Sequence, residues 1–113
     1  MHEFSLANNV VELASGEAKK HSASKILELE IEVGTLSGVE PDTFQSALEM
    51  VSENTLLAGT LIKIIRIPGK GICGTCRREY EMKDRLTLCP GCGNFPSEIS
   101  GGLEFRVVSL LVE

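Results

Sequence analysis

Residues 73–93 read CGTCRREYEMKDRLTLCPGCG, and this stretch decides how the second half of the chain folds. It contains all four cysteines of the protein, in two Cys-x-x-Cys knuckles, Cys73 with Cys76 and Cys89 with Cys92. Two such knuckles separated by a short loop can surround one tetrahedral ion with four thiolates. Glycines beside the sulfurs let backbone N–H groups turn toward the thiolates. The spacing therefore predicts a closed, structural four-cysteine metal site.

Two disulfides, a redox dithiol and a rubredoxin-like iron centre are the competing interpretations of the four cysteines. No secretory signal opens the chain, so we expect a reducing cytoplasm, where disulfides are disfavoured. The knuckles lack the strand-then-helix context that is typical of a redox dithiol. Spacing alone does not distinguish zinc from iron. Because the only histidines, His2 and His21, lie far away in sequence, we expect all four ligands to be cysteines.

The charge of the chain argues against nucleic-acid binding. Its 113 residues carry a formal net charge of −5, and four thiolates around Zn²⁺ would bring this to about −7. Such a chain repels phosphate backbones. The segment 69–98 has no basic stripe, and Tyr80 and Phe95 are its only aromatic residues, too few for a base-stacking platform. No apolar run is long enough to predict a membrane span.

Hydrophobic periodicity predicts five elements outside the cysteine segment. Apolar residues fall on one helix face from Glu3 to Lys20, and a second helix is predicted from Pro41 to near Asn54. Alternation of apolar and acidic residues predicts a strand over 25–33, and β-branched runs predict strands over 61–67 and 103–112. The order of these elements indicates an α+β fold, a small three-stranded sheet with two helices.

The four cysteines fall between the last two predicted strands, which indicates an inserted, zinc-ribbon-like module over residues 69–101. The remaining domain then comprises residues 1–68 and 102–113. Glycine pairs at both boundaries, Gly69 with Gly71 and Gly101 with Gly102, suggest hinges. A segment of this size is too small to bury a core of its own, so metal binding must supply its folding free energy.

The opening Met1-His2-Glu3 offers a second possible metal site. Bulky His2 should leave Met1 in place, and the Met1 amine, the His2 backbone nitrogen and His2 Nδ1 can then form fused chelate rings. The backbone nitrogen of Glu3 lies within reach of the same ion. An all-nitrogen, planar set suits Ni(II) or Cu(II), and its affinity should fall as pH drops. The plainer interpretation is a solvated His2 and a Glu3 that caps the first helix.

Three stretches together resemble the HypA/HybF family of hydrogenase nickel-insertion proteins. They are the opening Met1-His2-Glu3-Phe4-Ser5-Leu6, the loop GTLSGVEP over 34–41, and the knuckle Cys89-Pro90-Gly91-Cys92-Gly93. The likeness covers essentially the full chain. It implies a nickel-binding α/β domain, residues 1–68 and 102–113, joined to a zinc-binding domain, residues 69–101.

The resemblance also implies which residues hold the metals. Ni(II), the transient cargo, would bind through His2, with the Met1 amine and the backbone nitrogens of His2 and Glu3 as further donors. Glu40, in the family-like loop, would lie near the nickel site. Structural Zn(II) would be held by all four knuckle thiolates, those of Cys73, Cys76, Cys89 and Cys92. This chain has no histidines beside its cysteines, which argues against pH-dependent exchange of zinc ligands.

The function implied is that of a cytoplasmic nickel metallochaperone and not of an enzyme. Its partners would be a HypB-like GTPase and the large subunit of a nickel–iron hydrogenase, and the sequence leaves monomer and dimer open. No Ser/His/Asp or Cys/His constellation points to catalysis. Two alternatives stay open: a zinc-ribbon module that binds protein or nucleic acid, which would demand basic surface, and a rubredoxin-like electron carrier, which would leave the helices and the N-terminus unexplained.

Overall fold

The structure, a computed structural model, describes residues 2–113, so that Met1 lies outside the described residues. The elements in chain order are α1 (His2–Lys20), β1 (Ile26–Gly34), α2 (Pro41–Ser52), β2 (Leu61–Ile67), β3 (Gly69–Cys73), β4 (Glu79–Met82), β5 (Pro96–Gly101) and β6 (Phe105–Val112). Within residues 2–113 the strands form two three-stranded sheets, in the orders β2-β1-β6 and β4-β3-β5. The predicted α+β class, with two helices and a small sheet, is confirmed.

The chain divides into two compact units. The first comprises the chain up to Ile31, Glu40–Ile65 and Arg106–Glu113. The second comprises Glu32–Val39 and Arg66–Phe105, and it contains all four cysteines. Compared with the predicted inserted module, residues 69–101, the second unit extends to residues 66–105 and also includes the end of β1 with the loop that follows it. No helix among residues 2–113 has the length and apolar character needed to cross a membrane.

The core of the first unit is built where α1 packs against α2. Along α1 the buried residues recur at helical spacing, as the sequence predicted: Ala7, Val10, Ala14 and Ala18. Small alanines allow the two helices to approach closely, and α2 contributes Phe44, Ala47 and Leu48 to the same core. Beneath the helices, the central strand β1 buries Ile26, Leu29 and Ile31. Burial of these apolar side chains is the main stabilising term for the unit.

The acidic face of β1 is tied to the strands on both sides. Lys63 Nζ on β2 lies 2.8 Å from Glu28 Oε1, and Ser109 Oγ on β6 donates to Glu30 Oε1 at 3.0 Å. Glu28 and Glu30 are half-buried. Because Glu28 accepts a hydrogen bond from Lys63 and attracts its charge, it raises the pKa of Lys63. Two glutamates of this face, Glu28 and Glu30, thus have polar partners on the neighbouring strands of the sheet.

The boundary glycines of the second unit are sites of close backbone approach. A Cβ on Gly69 would come within 2.4 Å of the Met82 carbonyl oxygen, and one on Gly102 within 2.5 Å of Gly69 Cα. Gly69 and Gly71 lie inside β3, which pairs antiparallel with both β4 and β5. At Gly69 and Gly102 no side chain fits between the backbones, so these two glycines have a packing role.

Some element bounds differ from the sequence prediction. Helix α2 ends at Ser52, two residues before the predicted Asn54, because the C-cap residue Glu53 leaves the helical conformation with ψ 137°. Asn54 follows it in the left-handed region with φ 64°. The last strand begins at Phe105 and not at Leu103. The sheet β4-β3-β5 was not predicted at all, since each of its strands has only four to six residues.

Candidate metal centre

The four cysteine sulfurs converge at one end of the sheet β4-β3-β5. Cys73 is the last residue of β3, and its Sγ lies 3.1 Å from that of Cys92. The Cys76 and Cys89 sulfurs are 3.6 Å apart, and those of Cys92 and Cys76 are 3.9 Å apart. All four lie within 4.8 Å of one another. Zn–S bonds of about 2.3 Å in a tetrahedron require S···S separations of about 3.8 Å, so the sulfurs are arranged to hold one such ion.

The first knuckle is a tight turn closed by two backbone hydrogen bonds. Cys73 N donates to the Arg78 carbonyl at 2.9 Å, and Arg77 N donates to the Cys73 carbonyl at 3.1 Å. Arg77 occupies the left-handed region with φ 62°, a conformation that costs an ordinary residue about 1–2 kcal/mol. The turn brings the sulfurs of Cys73 and Cys76 within 4.8 Å of each other.

The second knuckle repeats the same hydrogen-bond pattern. Cys89 N donates to the Asn94 carbonyl at 2.9 Å, and Gly93 N donates to the Cys89 carbonyl at 2.8 Å. Gly93 has φ 73°, and its position is equivalent to that of Arg77 in the first knuckle. A glycine adopts this conformation without steric cost, so the conformational cost of the left-handed position is lower in the second knuckle than in the first.

Backbone N–H groups point at the two buried sulfurs. Thr75 N and Cys76 N lie 3.4 and 3.5 Å from Cys73 Sγ, and Gly91 N lies 3.4 Å from Cys89 Sγ. Cys73 and Cys89 are buried, whereas Cys76 and Cys92 are exposed. Hydrogen bonds to a thiolate favour its charged form, so the fold prepares its least accessible sulfurs for a cation.

The thiol pKa values differ widely within the cluster. The backbone N–H of Cys76, assisted by Cys92 and by the Thr75 N–H, lowers the pKa of Cys73 to about 6. Burial opposes ionisation of Cys89, but the N–H groups of Gly91 and Cys92 together lower its pKa. At Cys76 the Arg78 N–H favours the thiolate, yet the neighbouring Cys73 sulfur and burial outweigh it and raise the pKa to about 11. A dication in the centre would favour the thiolate form of every ligand.

The loop after β1 supplies part of the hydrophobic core beneath the knuckles. Leu36 is 3% exposed and packs with Tyr80, Met82 and the two buried cysteines Cys73 and Cys89. The sequence predicts a loop here and a family motif, and it gives no prediction that Leu36 is buried in this core. The available signal was an apolar leucine between Thr35 and Ser37, in a short stretch bounded by Gly34 and Gly38.

The predicted nickel residues are not drawn together as side-chain ligands. His2 is the first residue of α1 and is exposed, and Glu3 stands in the first turn of that helix; Met1 lies outside the described residues. Glu40 is the N-cap of α2, where its Oε2 accepts a hydrogen bond from Thr43 N at 2.6 Å. Among residues 2–113 the group of three or more candidate ligand side chains that converges is the four cysteines.

Comparison with known proteins identifies the family. The family described as "Hydrogenase/urease nickel incorporation, metallochaperone, hypA" matches residues 1–112. The chain belongs to the HypA family. It is 36% identical to a hydrogenase maturation factor HypA of Geobacter metallireducens and 35% identical to that of Dechloromonas aromatica, each over the whole of both chains. The solution structure of the nickel metallochaperone HypA from Helicobacter pylori is similar, with 25% identity, a TM-score of 0.66, and 97% and 96% of the two chains covered.

Membership of the HypA family confirms the resemblance read from the three sequence motifs. HypA proteins are maturation factors and metallochaperones, so the expectation that this chain is not an enzyme is also confirmed. The family favours nickel incorporation over the zinc-ribbon and electron-carrier alternatives. A metallochaperone family is also consistent with a cluster of four cysteines that could hold a metal ion.

Proposed function

We propose that this protein binds Ni(II) at the start of α1 and delivers it to the large subunit of a nickel–iron hydrogenase, without chemical turnover. The observation that carries the proposal is the match to a nickel-incorporation family along residues 1–112, which includes an exposed His2 at the first position of a helix. An exposed site suits a carrier because an acceptor can compete for the donors one at a time.

The start of a helix is a suitable place for backbone nitrogen ligands. The first four N–H groups of an α-helix have no partner within the helix, so nitrogens of His2 and Glu3 are available without breaking α1. Two deprotonated amides, a neutral amine and a neutral imidazole would cancel the charge of Ni(II). The positive end of the helix dipole would then oppose binding only weakly, and Glu3 in the first turn offsets it further.

In this proposal the two units divide the metals between them. The first would hold nickel through His2, with the Met1 amine and Glu3 as supporting residues and Glu40 nearby. The second would hold zinc through its four thiolates, which fit the ion in number, spacing and chemistry. Bound zinc supplies folding free energy and no reactivity, because all its coordination positions are filled by protein. We further propose a cytoplasmic site of action and a HypB-like GTPase as partner.

The test is a calorimetric nickel titration of untagged, zinc-loaded protein. We expect one nickel per chain, severe loss of binding in His2→Ala and in protein with an extended N-terminus, and about one zinc retained in both. His21→Ala is the matched control, since His21 is the other histidine of the chain and is exposed. Equal nickel binding by all four proteins would contradict the proposed site.

A further inference from the structure

The two knuckles of the metal centre are joined by side chains that cross from one to the other. Asn94 Nδ2 donates to Thr75 Oγ1 in the first knuckle at 3.1 Å, and it also lies 3.5 Å from Cys92 Sγ. Asn94 itself belongs to the second knuckle, where its carbonyl oxygen accepts the Cys89 N–H. One amide group thus links a metal ligand of its own knuckle to the turn of the opposite knuckle.

Arg78 makes the reverse crossing. A Cβ on Gly91 would come within 2.6 Å of Arg78 Nη1, so the guanidinium group of the first knuckle lies directly over this glycine of the second. Arg78 and Asn94 each stand five residues after the first cysteine of their knuckle, and Gly91 and Thr75 each stand two residues after it. The two crossings therefore occupy equivalent positions in the two knuckles.

Asn94 reaches a ligand at which a competing chelator can enter. Cys92 is exposed, unlike the buried Cys73 and Cys89, which receive backbone N–H groups. The hydrogen bond from Asn94 to Cys92 comes from a side chain, so substitution can remove it without breaking the turn. A donor of this kind stabilises the thiolate as a ligand and reduces its tendency to react.

We infer that Asn94 and Arg78 form a clasp that sets how slowly the cage releases its ion and how unreactive Cys92 is while the ion is bound. The inference rests on the proposal that the four thiolates hold zinc, and it is independent of the nickel site. Asn94 acts as a positioning residue through Cys92 and Thr75. Arg78 adds a positive charge beside a cage whose net charge with zinc would be −2.

The test measures zinc transfer from zinc-loaded protein to the chromogenic chelator pyridylazoresorcinol. Loss of an outer-shell partner typically costs about 10–100-fold in metal affinity, so we expect roughly tenfold faster release in Asn94→Ala. Asn94→Asp, which has nearly the same shape but cannot donate, should behave alike. Thr75→Val removes only the hydrogen bond between Asn94 and Thr75, so it should accelerate zinc release less than Asn94→Ala does. Arg78→Ala should accelerate release, with partial recovery in Arg78→Lys.

Limited alkylation of the zinc-loaded proteins separates this role from a general loosening of residues 69–101, the segment that is called the lobe from here on. Asn94→Ala should raise the reactivity of Cys92 relative to Cys76, whereas Thr75→Val should leave that ratio unchanged. Asn9→Ala, at an exposed asparagine of α1, is the matched control and should change neither the rate of zinc release nor the reactivity of Cys92 relative to Cys76. If purified wild-type protein contained no zinc, the zinc assignment itself would be overturned. One zinc per chain, with release unchanged in Asn94→Ala and Thr75→Val, would overturn the clasp alone.

Discussion

Arg85 Nη2 donates a hydrogen bond to the carbonyl oxygen of Leu36 at 2.8 Å. The bond ties the loop after β1 to the segment between the knuckles, 49 positions further along the chain. It holds Leu36 in place above the buried Cys73 and Cys89, where the leucine side chain completes the core of the lobe. A lobe with few apolar residues of its own thereby gains a buried side chain from outside the cysteine segment.

Leu36→Ala should destabilise the zinc-loaded lobe. Truncation of a buried leucine typically costs about 2–5 kcal/mol, and because metal binding and folding of the lobe are coupled, zinc affinity should fall with it. Competition with a chelator of known affinity measures the effect. Leu86→Ala is the matched control, since Leu86 belongs to the same unit and is 76% exposed. Equal affinities in the two variants would show that Leu36 adds nothing to the lobe.

The left-handed positions of the two knuckles should respond in opposite directions. Gly93→Ala introduces a Cβ at φ 73° with open space around it, so the cost is conformational, about 1–2 kcal/mol, or roughly tenfold weaker zinc binding. Arg77→Gly relieves the same strain at φ 62°. Because a glycine also loses more conformational entropy on folding, the net effect should be neutral or stabilising by up to about 1 kcal/mol. Weaker binding in Arg77→Gly than in Gly93→Ala would refute this ranking.

Removal of zinc should unfold the lobe and spare the helices. The first unit buries its own core between α1, α2 and β1, whereas the lobe depends on the metal for its folding free energy. Hydrogen exchange on zinc-free protein should therefore show retained protection over 7–18 and 44–52 and lost protection over 69–101. Equal protection of 69–101 with and without zinc would contradict the prediction.

Proton release on zinc binding provides an independent measure of the same coupling. Unfolded thiols have a pKa of about 8.5 and are nearly all protonated at neutral pH, so zinc-coupled folding should release close to four protons. In a cage that is already folded, Cys73 with its pKa of about 6 is ionised beforehand, and no more than about three protons would leave. Calorimetry in buffers of different ionisation enthalpy counts the protons, and a count of about three or fewer would indicate a preformed cage.

The same pKa shift fixes the direction of the pH dependence. The pKa of Cys73 is lowered in the folded lobe, so ionisation of this thiol favours the folded lobe above the ordinary thiol pKa, and that contribution is lost as pH falls through about 6. Bound zinc would hold the thiolates ionised to lower pH than this. The apparent zinc affinity should nevertheless fall on acidification, because protons compete with the ion for every thiolate, and chelator competition at several pH values measures that fall. An apparent zinc affinity that does not change with pH would contradict coordination by thiolates.

Glu40→Ala should separate helix capping from nickel binding. Loss of the hydrogen bond to Thr43 N should cost about 0.5–2 kcal/mol of stability, measured by thermal unfolding. If Glu40 also lies near the nickel, as predicted from the family-like loop, nickel affinity should fall, though less than in His2→Ala. Glu40→Asp, which keeps a capping carboxylate, is the control. Reduced stability with unchanged nickel affinity would limit Glu40 to capping.

The sequence by itself determined the helices, the central strand and the four converging cysteines, because these depend on spacing along the chain. Helical periodicity placed Ala7, Val10, Ala14 and Ala18 on the buried face of α1, together with Phe4 and Val11, which are only half-buried. The paired knuckles specified which four side chains converge. Tertiary structure alone decided that Leu36 belongs to the core of the lobe and that Gly69 and Gly102 touch. These contacts join residues more than thirty positions apart, and no local pattern specifies which distant backbone or side chain fills a space, since that depends on how the folded segments pack.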